Sequence, residues 1–177
     1  GEEVGARLVD HPGVDVVAFT GSRAVGIAIW ESAGRTRPGQ ANLKRVVCEM
    51  GGKNALIIDA DADLDEAVPA ALYSAFGFSG QKCSALSRLI VLDGVYDAFV
   101  EKFAARVKTF KVGNGFEDGV VQGPLIEPAA VDKVQRHVDD ALAKGARVVT
   151  GGKRLPGQFF EPTVIADAQA GMLCARE

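Results

Sequence analysis

The sequence predicts an α/β fold in which a mostly parallel sheet is flanked by helices. Short apolar runs rich in Val and Ile alternate with longer stretches of helical periodicity along the chain. The helical stretches between strands are long enough for the right-handed crossovers that join parallel strands. The 177 residues suffice for one ordinary domain or for parts of two, and 47% of them are hydrophobic, which supports a packed core.

The first half of the chain predicts three strands and two helices. The strands are the apolar runs at residues 14–20, 45–49 and 55–59. The first run is expected to be buried and ends at Gly21-Ser22, where Ser22 is a good N-cap for a helix over 23–32. The Ala-rich stretch 64–78 is apolar on most faces, so we expect a helix that is largely buried.

The second half continues the alternation. Further strands are predicted at residues 88–92, 147–150 and 162–165. The stretch 95–112 predicts an amphipathic helix with Lys and Arg on its outer face. A second helix is predicted over 128–144, with Gly145 as its C′ residue.

Composition excludes several classes of protein. A net charge of −3 argues against a nucleic-acid-binding protein, which needs clustered positive charge to meet phosphates. No apolar run approaches the length of a membrane span, and no signal-peptide pattern is present. Three cysteines without metal-ligand spacing indicate reduced thiols, so we expect a cytoplasmic protein, or one of the mitochondrial matrix in a eukaryote.

Cys83 is the first candidate for chemistry. It follows a Gly turn in Gly80-Gln81-Lys82-Cys83, between a predicted helix and a predicted strand, where α/β proteins place reactive groups. The Lys82 ammonium and nearby backbone N–H groups would favour the nucleophilic thiolate. A single Cys is, however, more often a small core residue.

Glu49 is the second candidate. It directly follows an apolar strand and precedes Met50-Gly51-Gly52-Lys53, and the glycines would let a ligand approach the backbone closely. The carboxylate can therefore point into a cleft. A solvated acid at the end of a strand is the simpler alternative.

The third candidate is the strand–turn–helix segment 19–26 (FTGSRAVG). Free N–H groups and the helix dipole after Gly21-Ser22 form an anion site. The segment is not G-x-G-x-x-G, so the usual dinucleotide fingerprint is absent. An ordinary helix capped by Ser22 explains the pattern equally well.

No metal site is predicted. The aspartates at 59, 61, 63 and 65 alternate as in a calcium loop, but Leu64 and Ala70 stand where an EF-hand needs Gly and Glu. Asp63 with Glu66 instead resembles a helix capping box.

Together and in this order, the three segments resemble the signatures of the aldehyde dehydrogenase superfamily. Residues 19–22 (FTGS) resemble its cofactor-helix motif, 49–53 (EMGGK) its glutamate signature, and 80–83 (GQKC) its cysteine signature. Met50 stands where Leu is common. Cys83 follows Glu49 by 34 positions (83 − 49), which fits the family. Later stretches match as well, so the resemblance covers nearly the whole chain.

Within the superfamily, the chain resembles most the branch of 1-pyrroline-5-carboxylate dehydrogenases, which make glutamate from glutamate semialdehyde in proline catabolism. The residues that carry this likeness are 76–85 (FGFSGQKCSA), Ser87-Arg88, the link 37–46 and Met50. Family members are much longer, so we expect both ends of this chain to be cut and the chain to be a segment of the full enzyme.

The resemblance implies a role for each candidate. Cys83 would be the nucleophile and Glu49 the general base for the water that hydrolyses a thioester. The cofactor would be NAD, held by Thr20, Gly21, Ser22, Gly26 and the Met50 backbone. Ser84 would help to bind the carboxylate of an aldehyde substrate.

The resemblance also implies a domain division and an assembly. Residues 1–48 would be the C-terminal part of the NAD-binding domain, and 49–177 the main part of the catalytic domain. The full-length protein would be a homo-oligomer. Three alternatives remain: another aldehyde substrate, a non-catalytic structural module of the same fold, and a thiol hydrolase that uses Cys83 and Glu49 without cofactor.

Overall fold

A computed structural model describes residues 2–176 and divides the chain into two compact units. The first unit extends to Gly52, and the second begins at Lys53. The first contains α1 (Glu2–Asp10), β1 (Val16–Gly21), α2 (Arg23–Ala33) and β2 (Arg45–Met50). The second contains β3 (Asn54–Ile58), α3 (Leu64–Phe76), β4 (Leu86–Val91), α4 (Asp93–Val107), β5 (Lys111–Val112), β6 (Val120–Gln122), α5 (Pro128–Ala143), β7 (Arg147–Thr150), β8 (Val164–Ala166) and α6 (Leu173–Arg176).

Strand pairing confirms the predicted α/β class. Among the described residues, β1 pairs with β2, β3 with β4 and β5 with β6 in parallel, whereas β7 and β8 are antiparallel. Helices α2 and α3 connect the first two parallel pairs, as crossovers must. The antiparallel pair is joined by a connection without a helix, which includes the tight turn at Gly151-Gly152.

The first unit is built around the parallel pair β1–β2. Ser22 caps α2 as predicted, since its Oγ accepts a hydrogen bond from the Val25 N–H at 3.3 Å. The prediction that 14–20 forms a buried strand is only partly correct. β1 forms, but its residues alternate between exposed and half-buried, and Val16 is 60% exposed. The reason is that a pair of strands with few neighbouring elements within the described chain cannot cover both of its faces.

The core of the second unit lies between the β3–β4 pair and helices α3 and α4. Phe99 and Phe103 stack at a ring-centroid distance of 5.5 Å on the buried face of α4. The other members of this core are buried aliphatic residues on β3, α3, β4 and α4: Ile58, Val68, Ala71, Leu72, Leu86 and Val107. A smaller cluster under α5 comprises Leu125, Val131, Val138 and Phe160. The burial of Phe99 and Phe103 on one face of α4 confirms the amphipathic pattern predicted for this helix.

Several predicted boundaries are wrong. The helix predicted over 64–78 stops at Phe76, because the residues after it turn into left-handed backbone. The helix predicted over 95–112 spans Asp93–Val107, and Lys111–Val112 instead pair with β6. The strand predicted from 162 starts at Val164. Helix α1, which the sequence did not predict, occupies Glu2–Asp10.

No helix among residues 2–176 is both long and apolar enough to cross a membrane. Within the same residues, no group of three or more His, Cys, Asp or Glu side chains is arranged to hold a metal ion.

Candidate functional site

The carboxyl ends of β1 and β2 bring four of the predicted site residues together. In the parallel register, Thr20 lies opposite Glu49, and Gly21 lies opposite Met50. Glu49 and Met50 are both exposed there. Ligands of open α/β sheets bind outside the carboxyl ends of parallel strands, so this edge is the expected place for a cofactor.

The first turn of α2 follows directly and supplies hydrogen-bond donors. Ser22 has extended backbone, its carbonyl accepts the Gly26 N–H at 2.9 Å, and its hydroxyl accepts the Val25 N–H. The N–H groups of Arg23 and Ala24 donate to no residue within 2–176. A helix start with free donors and a positive dipole end suits a phosphate group. The residues present therefore fit the pyrophosphate of a dinucleotide.

Two glycines let side chains pack against this turn. A Cβ built on Gly26 would lie 2.7 Å from the Met50 Sδ, so only glycine admits Met50 against the helix. A Cβ on Gly21 would lie 2.4 Å from the Phe19 ring. The structure thus indicates a packing role for Gly26, which is buried under Met50, and the predicted cofactor role would act through that contact.

Cys83 lies on the connection between α3 and β4, and its thiol is free and exposed. The connection begins at Gly77 and includes three consecutive residues in left-handed backbone, Phe78, Ser79 and Gly80, with φ of 56°, 56° and 69°. A non-glycine residue in this region costs about 1–3 kcal/mol, so surrounding contacts must hold it. After the cysteine, Ala85 and Leu86 are buried and fix the chain to the core.

Side-chain hydrogen bonds hold this segment from two sides. The Asn54 Nδ2 donates to the Cys83 carbonyl at 2.7 Å and to the Ala85 carbonyl at 2.9 Å. On the other side, the Ser79 hydroxyl donates to the Gly123 carbonyl at 3.0 Å. The Gln81 Oε1 accepts the Ile126 N–H at 2.9 Å. Sequence reasoning missed Asn54, because its partners are about thirty residues away and only its place after Gly51-Gly52-Lys53 could have drawn attention to it.

Two lysines near the motifs have distinct surroundings. The Lys82 Nζ lies over the Tyr73 ring, 5.4 Å from its centroid, in a cation–π contact.

Lys53 lines a cavity of about 730 Å³ together with residues of β4, β8 and α6. Burial lowers the pKa of Lys53 below its ordinary value of 10.5, and the charges of Lys133 and Arg88 act in the same direction. Cys83 is not among the residues that line this cavity.

The predicted site residues are divided between the two units. Thr20, Gly21, Ser22, Gly26, Glu49 and Met50 belong to the first unit. Cys83 and the exposed Ser84 belong to the second. The roles assigned to all eight residues stay predictions.

Comparison with known proteins identifies a family. The sequence model of the aldehyde dehydrogenase family matches residues 1–177 of this chain. A 1-pyrroline-5-carboxylate dehydrogenase of Bacillus subtilis (strain 168) is 47% identical over 168 residues, covering 94% of this chain and 33% of the relative. A glutarate-semialdehyde dehydrogenase of Pseudomonas putida is 44% identical over 175 residues, covering 99% of this chain and 35% of the relative.

Solved structures agree with the sequence matches. A structure of 1-pyrroline-5-carboxylate dehydrogenase from Thermus with bound NAD has a TM-score of 0.93 and 42% identity to this chain, covering 100% of it and 34% of that chain. This likeness confirms the predicted fold. The chain spans about a third of the length of the curated relatives it matches.

Proposed function

The chain belongs to the aldehyde dehydrogenase family, and from this membership we propose that its protein oxidises an aldehyde to a carboxylic acid through a thioester on Cys83. The observation that carries the proposal is the exposed Cys83 thiol, on the connection between α3 and β4 that follows the left-handed residues Phe78, Ser79 and Gly80. An inert structural thiol needs neither exposure nor such a segment.

The chemistry begins with addition of the Cys83 thiolate to the aldehyde carbon, which forms a C–S bond and an oxyanion. The Cys83 N–H, which donates to no residue within 2–176, is available to hold that oxyanion. Bound NAD would supply the acceptor for the hydride that leaves this carbon, so that a thioester remains on Cys83. The aldehyde is thereby oxidised by two electrons.

Hydrolysis of the thioester is the task we assign to Glu49. Its carboxylate takes a proton from water, the water oxygen attacks the thioester carbon, and the C–S bond breaks. The carboxylic acid leaves and the Cys83 thiolate is restored. Exposure of Glu49 at the carboxyl end of β2 supports this role, because a general base must reach a water molecule.

The cofactor is proposed to lie at the edge formed by β1, β2 and the start of α2. Gly21, Ser22 and the free N–H groups after them would bind its pyrophosphate, and the Met50 backbone would bind the nicotinamide amide. Thr20 lies at the end of β1 beside them, opposite Glu49. Gly26 would keep Met50 in place through the close contact described above.

The substrate we propose is glutamate semialdehyde, the open form of 1-pyrroline-5-carboxylate. The name of the Bacillus subtilis relative supports this choice. Ser84, which directly follows the nucleophile in the sequence and is exposed, would bind the substrate carboxylate. Glutarate semialdehyde is the second candidate, because the Pseudomonas putida relative is named for it. We further propose a cytoplasmic homo-oligomer.

Replacement of Cys83 by Ala in the full-length protein tests the reaction. NADH formation with glutamate semialdehyde, followed by absorbance, should fall below about a hundredth of the wild-type rate, since the covalent route is lost. Cys48→Ala is the matched control, because Cys48 lies within β2 with its Sγ 3.7 Å from the Gly26 carbonyl oxygen. A larger residual rate in Cys83→Ala would exclude Cys83 as the nucleophile.

The same assay separates the alternatives. Faster oxidation of glutarate semialdehyde than of glutamate semialdehyde would change the proposed substrate and leave the proposed reaction unchanged. Hydrolysis of an ester without NAD, in a protein that oxidises no aldehyde, would favour a thiol hydrolase. No activity on any aldehyde or ester would favour a non-catalytic module of this fold.

A further inference from the structure

Asn54 is the first residue of β3, and its side chain spans the turn that carries Cys83. One amide nitrogen donates to two carbonyls of that turn, Cys83 O at 2.7 Å and Ala85 O at 2.9 Å. The carbonyl between them, that of Ser84, is not one of its acceptors. The two bonds therefore fix the Cys83–Ser84 and the Ala85–Leu86 peptide groups.

The backbone of Asn54 is itself held by β4. The Arg88 guanidinium donates twice to the Lys53 carbonyl, at 2.9 Å and 2.6 Å. The Ser87 hydroxyl donates to the Asn54 carbonyl at 3.3 Å. At this point the β3–β4 register shifts, so that Asn54 pairs with Leu86 and Ala55 with Arg88. Such an irregularity aims side chains differently from a regular ladder and is typical of functional sites.

We infer that Asn54 is a positioning residue, which holds the Cys83–Ser84 peptide so that the nucleophile is presented in one orientation. The inference rests on the proposed function, in which Cys83 is the nucleophile. Asn54 touches the backbone of the turn only, and the bonds described for it involve neither substrate nor cofactor.

The physical reason lies in the planarity of the peptide group. In a trans peptide the C=O and the following N–H point in opposite directions. With the Cys83 carbonyl turned to Asn54, the Ser84 N–H points to the opposite side, where it donates to no residue within 2–176. Without Asn54, the side-chain hydrogen bonds that tie residues 78–80 and the exposed turn after them to other parts of the second unit would be those of Ser79 and Gln81. The turn would then sample several orientations, and few of them would suit attack.

The test uses two variants of the full-length protein. Asn54→Asp keeps the shape of the side chain but loses both donors, and Asn54→Ala removes the polar group. In both we expect kcat to fall at least about tenfold, while the KM for NAD stays within about twofold, because the interaction lost serves the chemical step. Hydrogen–deuterium exchange of a peptide covering residues 77–86 should become faster at the same time.

Asn114→Asp is the control for the chemical change. Asn114 is exposed, and its Oδ1 accepts the Phe116 N–H at 3.1 Å, a bond that Asp can also make. This variant should leave kcat and exchange unchanged. An unchanged kcat in a folded Asn54 variant, or unchanged exchange over 77–86, overturns the positioning role.

The positioning role of Asn54 can be tested even if the proposed function fails. If the wild-type protein oxidises no aldehyde, the function fails, and exchange over 77–86 in the Asn54 variants still decides whether Asn54 holds the turn. If one variant does not fold, the other supplies both measurements. Loss of thermal stability with an unchanged kcat at a temperature where the variant is folded would mark Asn54 as structural only.

Discussion

The Glu49 carboxylate belongs to the penultimate residue of β2, opposite Thr20 in the parallel register. Within residues 2–176 it accepts no hydrogen bond and forms no ion pair. A carboxylate without such partners keeps its lone pairs available for a proton from water. This isolation agrees with the role of general base better than with a role in holding the fold.

Glu49→Gln should separate the two halves of the reaction. Glutamine keeps the shape but cannot take a proton from water, so thioester formation survives and hydrolysis does not. We expect a burst of NADH of about one equivalent per active site, followed by steady turnover at least about a hundredfold slower than in the wild type. Rapid-mixing absorbance measurements on the full-length protein resolve both phases.

Glu101→Gln is the control, since Glu101 is exposed on α4 and is not among the predicted site residues. It should show wild-type kinetics. A loss of both burst and steady phases in Glu49→Gln would mean that Glu49 acts before hydride transfer, for example in deprotonating Cys83.

At the scale of elements, the contact between α2 and the end of β2 shapes the proposed cofactor edge. Gly26 brings the helix close to Met50, whose Sδ and Cγ would lie 2.7 Å and 3.1 Å from a Cβ at this position. Because these atoms belong to a flexible side chain, a methyl group can be accommodated if Met50 turns away. The helix would remain, and the edge of the site would change.

Gly26→Ala should therefore change the KM for NAD more than it changes the free energy of unfolding. Alanine gains about 1 kcal/mol in helix propensity over glycine, which offsets the cost of moving Met50. We expect the free energy of unfolding to change by less than about 1 kcal/mol and the KM for NAD to rise at least about threefold. Denaturant unfolding and steady-state kinetics of the full-length protein measure the two effects.

The matched control is Gly5→Ala in α1, where a Cβ would meet no atom within 4 Å. It should gain stability from helix propensity and leave the KM for NAD unchanged. If Gly26→Ala also leaves that KM unchanged, the position of Met50 has no bearing on the cofactor.

At the scale of the whole molecule, the first unit exposes large apolar side chains. Val16 is 60%, Trp30 60% and Val47 55% exposed, and these residues come from β1, α2 and β2. Apolar surface of this extent favours association in water. The chain also spans about a third of the length of its relatives.

The 177-residue chain by itself should bind NAD negligibly and should self-associate. Binding energy in dinucleotide sites is spread over both halves of the fold, and the chain offers one strand–turn–helix of it. Titration calorimetry with NAD and light scattering across a concentration series measure the two properties. A monodisperse monomer with a Kd for NAD in the micromolar range would contradict this prediction.

Local patterns were sufficient for most of the elements. Val and Ile runs, helical periodicity and end signals such as Ser22 and Gly145 act over a few residues, so they can be read directly from the sequence. The motifs that make Cys83 and Glu49 candidates are short as well, and the roles of both residues stay predictions. The segment around Cys83 also followed the helix and preceded the strand as expected, because these signals depend on neighbours in the chain.

Tertiary contacts decided what the local patterns could not. Helix α3 stops at Phe76 because Phe78 and Ser79 adopt left-handed backbone, a conformation that their side chains disfavour and that bonds to Gly123 and Ile126 support. Exposure of β1 depends on which elements cover it. Asn54 meets the Cys83 turn only because β3 and β4 pair in parallel. Each of these outcomes depends on residues distant in sequence, and the energies of such contacts arise only once the chain has folded.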